Sequence, residues 1–217
     1  MSKRELNIAF YVSGRASRFR SLLKESDSKL LNATKLVVSD SIYNVDLESS
    51  LSKKGIMFDC FDYDQLSEDK QEILSGRLLR LFKKHDVDYC FCFGDHILKG
   101  ELLSSYNNRI INFHPSLLPY YKGRNAIDKA VQDGAQLLGN TAHFITEDVD
   151  DGPIIMQSVI HISQYELSGY DAVLDLQLVM IKQVYEWLCS NSIFIEAGKV
   201  RVDGVKYNHS IYLPYSD

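Results

Sequence analysis

Short apolar runs alternate with helix-period segments through the first half of the chain. Residues 6–12 form a compact apolar run closed by Ser13-Gly14, which predicts a buried first strand. Ser17 is placed to cap a helix that carries Phe19, Leu22 and Leu23. Residues 36–38 and 55–61 predict the second and third strands. Residues 67–84 predict a helix: "SEDK" supplies a cap sequence, and Leu74, Leu78, Leu81 and Phe82 share a face. Residues 87–93 and 110–113 predict the fourth and fifth strands. This alternation implies crossover connections and a mostly parallel sheet with helices on both faces.

The pattern changes in the second half. Residues 141–146 and 154–162 predict two strands flanking "EDVDDGP". A long helix over residues 170–188 is expected to bury Val173, Leu176, Val179, Met180, Val184 and Trp187. Two short runs, 199–202 and 205–208, surround Asp203-Gly204, a dipeptide that favours a hairpin. Tyr207, Tyr212 and Tyr215 then read as surface aromatics of this edge hairpin. No linker or shift of composition separates the halves. The expectation is one α/β domain over residues 1–217, with a hairpin and tail from residue 198.

Charge and cysteine content narrow the partners. The chain has 217 residues and a net charge of −5, and it lacks the basic excess of a nucleic-acid binder. Its four cysteines, Cys60, Cys90, Cys92 and Cys189, form no CxxC pair. They read as reduced, buried small hydrophobes, which fits a cytoplasmic protein with no metal site. The start, "MSKRELNIAFYVSG", lacks a signal peptide's apolar core and cleavage site. No apolar stretch has the length of a membrane span, so no membrane partner is expected.

In parallel sheets, ligands bind beyond the carboxyl ends of the strands. The loops after Val12, Phe93 and Phe113 all carry polar groups there. In "INFHPSLLPYYKG" a strand ends in Asn112 and His114, whose spacing sends both side chains to one face, while Phe113 packs the other. Asp150 lies in the turn between the next two strands. An Asn amide can hold an oxyanion, an imidazole can move a proton, and a carboxylate can fix that imidazole or a water. Together they suit an amine attacking an activated acyl group without a Ser or Cys nucleophile. Each also has a plainer reading: a turn former, a packing residue and a tight turn.

The wording of "INFHPSLLPYYKG" followed by "HFITEDVDDGP" resembles the formyltransferase family that uses 10-formyltetrahydrofolate. The resemblance covers residues 6–187 and is tightest over 111–157. It implies a Rossmann-like, mostly parallel twisted sheet and a co-substrate, 10-formyltetrahydrofolate, with no metal. It implies that Asn112 binds the formyl oxygen, His114 assists as electrophile or proton shuttle, and Asp150 takes the amine's proton directly or through water. Asp151 is then a turn residue. The loop Gly94, Asp95, His96, Ile97, Leu98 matches the folate-lining segment, with Ile145, Thr146 and Asp148 contributing from the second loop. Leu98 also fits plain core packing.

The acceptor is the open point. The purine enzyme of this family has a Ser-Gly-x-Gly-Ser-Asn phosphate loop, whereas this chain reads "SGRASRF". Ser13, Gly14, Arg15, Ser17 and Arg18 are the acceptor-loop candidates, with Pro119 and Gly123 on the later loop. The purine enzyme also grips ribose with a Glu of its long helix. That Glu and the His beside it align with Met180 and Ile181 here. These departures, and "RNAIDKAV" after Gly123, favour a nucleotide-linked amino-deoxy sugar as the small-molecule amine. This assigns a role in surface-polysaccharide synthesis, in a monomer or a homodimer. Glycinamide ribonucleotide is the alternative acceptor. A non-catalytic folate or nucleotide binder is the further one.

Overall fold

The structure is a computed structural model and describes residues 5–25 and 28–207. Its elements run β1 (Ile8–Val12), α1 (Ser17–Leu23), α2 (Lys29–Ala33), β2 (Thr34–Ser39), α3 (Leu47–Ser52), β3 (Met57–Cys60), α4 (Lys70–Lys84), β4 (Tyr89–Phe93) and α5 (Glu101–Ser105). They continue with β5 (Ile110–His114), α6 (Ala126–Gln132), β6 (Leu137–Phe144), β7 (Ile154–His161), α7 (Ile162–Ser168), α8 (Tyr170–Cys189), β8 (Ile193–Glu196) and β9 (Lys199–Val202). Seven strands form one sheet in the order β3-β2-β1-β4-β5-β6-β7, and β8 pairs with β9. The backbone divides into two compact units. One is Glu5–Asn112 with Phe144–Gly152; the other is Phe113–His143 with residues 153–207.

In the first unit β3, β2, β1, β4 and β5 pair in parallel. Ala9, Tyr11, Val38, Cys90 and Cys92 cluster with Leu74, Leu78 and Phe82 of α4 on one face. The alternate residue Phe10 meets Phe19 of α1 at 5.0 Å and Phe91 at 5.6 Å on the other. Both faces are covered, which is why these strands read as unbroken apolar runs. Register fixes the working edge: Val12 lies level with Ser39 and with Phe93, so the loops after β1, β2 and β4 leave the sheet together. Helix α4 starts at Lys70, later than its apolar pattern predicts. Asp69 precedes it in the left-handed region (φ 62°) and makes no side-chain cap, so "SEDK" does not cap as expected.

In the second unit β6 and β7 pair antiparallel. Ile127, Ala130, Leu138, Ile160 and Val173 form its core. The buried stripe of α8 is Val173, Gln177, Met180, Ile181, Val184 and Leu188. Val179 was expected inside but is 63% exposed. The stripe advances by three and four residues from Val173, and Val179 falls outside it. Leu176 and Trp187 sit half-buried at its margin.

Gln177 is a buried polar residue in this stripe, and its bonds explain its place. Its Nε2 donates to the Phe113 carbonyl at 3.0 Å and to Asn140 Oδ1 at 2.8 Å. Asn140 Nδ2 donates in turn to the Val173 carbonyl at 2.8 Å and to Ser158 Oγ at 3.1 Å. The network ties α8 to the end of β5. Gln177→Ala strips partners from Phe113 O and Asn140 Oδ1 in a dry interior, at an expected cost of about 2–4 kcal/mol. Urea unfolding measures it, and a loss under about 1 kcal/mol would refute the network's importance.

The hairpin forms one step earlier than expected. β8 and β9 turn at Ala197 and Gly198, both at positive φ (48° and 74°), as a two-residue hairpin of the primed type requires. Asp203-Gly204 is a turn, and the described residues after it, 205–207, form no strand. Tyr207 instead brings its hydroxyl back to accept the Val202 N–H at 2.8 Å. Asn208, Tyr212 and Tyr215 lie outside the described residues. No helix among the described residues is long and apolar enough to cross a membrane.

Candidate active site

The first unit brings Asn112 and Asp150 together. Parallel pairing sets Asn112 level with Cys92 near the carboxyl end of the sheet. Its Nδ2 donates to Asp150 Oδ1 at 3.4 Å, a long contact. Asp150 holds φ 50°, in the left-handed region that Asp tolerates better than most residues. The motif's glycine has a packing cause. A Cβ on Gly152 would lie 1.8 Å from the Phe144 carbonyl oxygen, so only glycine lets the turn close against that strand end. Asp151 is exposed, as a turn residue would be. Thr146 Oγ1 donates to the Asp148 carbonyl at 3.3 Å within the same loop.

His114 lies two residues beyond Asn112 on β5 and is buried in the second unit. Its Nε2 contacts the Tyr121 carbonyl at 2.9 Å. A carbonyl only accepts, so Nε2 carries the proton in this contact. The loop that supplies this carbonyl is itself held. Ser116 Oγ donates to Tyr120 O at 2.7 Å, Thr141 Oγ1 donates to Ser116 O at 2.7 Å, and Gln157 Nε2 donates to Leu118 O at 3.0 Å. Pro119 is exposed and Gly123 is half-buried.

The acceptor-loop candidates sit at the level edge of β1, β2 and β4, and several are already engaged. Ser13 Oγ donates to Asp40 Oδ2 at 2.5 Å and accepts the Asp95 N–H at 2.9 Å. Arg18 lies over the Phe93 ring, its Cζ 4.6 Å from the centroid, and points Nη2 at the Phe93 carbonyl at 3.5 Å. Burial pulls its basicity below the usual guanidinium range, against the pull of Asp95. Gly14 and Arg15 are exposed, and Ser17 is the exposed first residue of α1. Asn44 Nδ2 donates to the Gly14 carbonyl at 2.9 Å. The Arg20 guanidinium binds Asp46 through two 2.7 Å bonds and also reaches Arg15 O and Asn44. The loops after β1 and β2 are thus bolted to each other.

Ala16, in the loop after β1, is buried with φ 51°. A Cβ is disfavoured in that region. Ala16→Gly is expected to raise stability by up to about 1 kcal/mol, read from the denaturation midpoint. A loss would show that the Ala16 methyl contributes more packing than strain.

The folate-loop candidates divide. Leu98 is 3% exposed within the core, whereas Ile97 is 46% exposed. Ile145 packs half-buried on the same core. Gly94 lies against Tyr11, and a Cβ there would come within 1.9 Å of the ring. His96 stacks on Tyr63 at 3.5 Å and 11° between planes. The sequence reading missed Tyr11, Asp40 and Tyr63. Asp40 was findable, because it follows the second strand as Ser13 follows the first.

The four cysteines are free thiols. Burial raises the Cys90 thiol well above its usual range and pushes Cys92 up to about 12. Among the described residues no group of three or more His, Cys, Asp or Glu could hold a metal.

A family model described as "Formyl transferase" matches residues 6–172, most of the chain. This protein belongs to the formyl transferase family. Among its relatives, phosphoribosylglycinamide formyltransferase of Bacillus subtilis is 28% identical over 160 residues, covering 73% of this formyl transferase and 80% of the relative. Formyltetrahydrofolate deformylase of Bacillus subtilis is 36% identical over 100 residues, covering 46% of this chain and 33% of the relative. The match therefore spans a third of that deformylase's length. The crystal structure of glycinamide ribonucleotide transformylase 1 from Symbiobacterium toebii shares the fold, with a TM-score of 0.77 at 23% identity, over 91% of this chain and 93% of that one.

Proposed function

We propose that this formyl transferase moves the formyl group of 10-formyltetrahydrofolate to a primary amine, and that the amine belongs to a nucleotide-linked amino-deoxy sugar. The observation that carries formyl transfer is the Asn112–Asp150 pair, an amide donor beside a carboxylate at the end of a parallel strand. Asn112 donates to the formyl oxygen as it gains charge, and Asp150 accepts the proton that the attacking amine must lose, directly or through water. The new amine–carbon bond forms as the bond from the formyl carbon to the folate nitrogen breaks, and that nitrogen takes a proton. His114 assists as an electrophile or proton shuttle, its ring fixed by the Nε2 contact with Tyr121. Ile97 and Val149, both exposed, offer apolar surface to the pterin beside Gly94–Leu98 and Ile145–Asp148.

The sugar acceptor rests on what the phosphate loop has become. Ser13 is engaged with Asp40 and Arg18 is laid on Phe93, and Met180, which aligns with the ribose-gripping Glu or its neighbour in the purine enzyme, is buried. A second reading, hydrolysis of the formyl-folate, is supported by the likeness to the deformylase. One assay separates them. Tetrahydrofolate and formate release are followed with 10-formyltetrahydrofolate alone, with amino sugars linked to dTDP, GDP or UDP, and with glycinamide ribonucleotide. Release that needs an amino sugar is the expected result. Formate without any acceptor favours hydrolysis, and rapid formylation of glycinamide ribonucleotide overturns the sugar reading.

A further inference from the structure

Asp40 is 4% exposed at the shared edge of β1, β2 and β4. Its Oδ2 accepts the Tyr11 hydroxyl at 2.5 Å and the Ser13 hydroxyl at 2.5 Å, and lies 3.5 Å from His96 Nε2. Ser13 Oγ also accepts the Asp95 N–H, so its single proton points to Asp40. Two hydroxyl donors converging on one oxygen at this distance favour the ionised carboxylate. Burial holds the Asp40 carboxyl above the usual carboxylate range, and the two hydroxyls and His96 lower it only in part.

The other oxygen, Oδ1, takes none of these contacts. No buried side-chain oxygen among the described residues lacks a partner. Oδ1 is therefore the atom through which this otherwise buried carboxylate meets the solvent. His96, whose Nε2 lies 3.5 Å from Oδ2, stacks flat on Tyr63 at 3.5 Å. The surrounding loops are fixed by Asn44 and Arg20, so the carboxylate is preorganised.

We propose that Asp40 is the specificity residue of the acceptor subsite: its Oδ1 accepts a hydrogen bond from a hydroxyl or ammonium group of the acceptor, and its charge keeps a phosphate monoester out of the Ser13–Arg18 loop. A fixed carboxylate beside an aromatic face suits a ring with both hydroxyls and C–H surface. A dianionic phosphate on Ser13 would sit against the like charge of Asp40. This deepens the amino-sugar reading and rests on it for the identity of the acceptor. The exclusion of phosphate does not.

The test uses inorganic phosphate as the probe, with calorimetry and a thermal-unfolding control. The intact protein is expected to show no saturable phosphate binding in the millimolar range. Asp40→Asn is expected to gain phosphate affinity by about tenfold or more. For the amino sugar, Asp40→Asn should raise KM by about 10–100-fold, with a smaller fall in kcat. Tyr11→Phe keeps the carboxylate and should still exclude phosphate. Phosphate binding by the intact protein, or equal phosphate affinity in Tyr11→Phe and Asp40→Asn, overturns the assignment. Should Asp40→Asn not fold, thermal stabilisation of the intact protein decides: an amino sugar should raise Tm and phosphate should not, and the reverse overturns it. Failure of every amine to accept a formyl group would end the amine-transfer reading, while the phosphate arm still judges Asp40.

Discussion

Asn112→Ala is expected to lower kcat for formyl transfer by about 100- to 1,000-fold, the cost of one oxyanion donor in a preorganised site. The side chain is half-buried, with its amide 3.4 Å from a carboxylate. Truncation removes little packing, so stability should change by less than about 1 kcal/mol. That separation gives the experiment its force. KM for 10-formyltetrahydrofolate should move far less than kcat, because the interaction strengthens as the formyl oxygen gains charge. Equal losses in kcat and in folate affinity would place Asn112 in binding rather than catalysis. Unchanged turnover would remove it from the chemistry altogether.

Gly152→Ala is the second large effect, and it acts through structure. A methyl cannot share the space of a carbonyl oxygen 1.8 Å away, and neither the strand end at Phe144 nor the turn has a flexible side chain to yield. The turn must open, at an expected cost of about 2–4 kcal/mol. Opening also carries Asp150 away from Asn112. Loss of turnover should therefore persist at temperatures where the variant remains folded. Denaturant unfolding read beside steady-state rates measures both. Wild-type stability in Gly152→Ala would show that the backbone relaxes without cost and would overturn the steric argument.

Much of the fold was legible because of one property of buried parallel strands. Residues 6–12 and 87–93 are covered on both faces, so they stand out as unbroken apolar runs between helix-period segments. Asn112 and Asp150 were singled out by the family resemblance, since strand spacing linked Asn112 only with His114. Other features needed contacts that no local pattern carries. Gln177 reads as a polar break in a helix stripe until its partners at Phe113 and Asn140 are known, and without it the stripe was assigned to Val179. The hairpin was misplaced because Asp-Gly is the stronger local signal. Ala197-Gly198 prevails because residues 193–196 lie ahead of it as a strand to pair with 199–202. Arg18 is an acceptor-loop candidate by sequence, and only tertiary structure shows it lying on Phe93.

The left-handed backbone at Asp150 governs how that position can be probed. At φ 50° a substitution changes two things at once unless the new residue accepts the same torsion. Alanine or a β-branched residue would remove the carboxylate and strain the turn together, and the lost activity would have two causes. Asparagine keeps both shape and torsion and removes only the charge. Glycine removes the side chain and relaxes the backbone. Read as a pair, Asp150→Asn and Asp150→Gly separate the carboxylate's chemistry from the geometry of the turn that presents it.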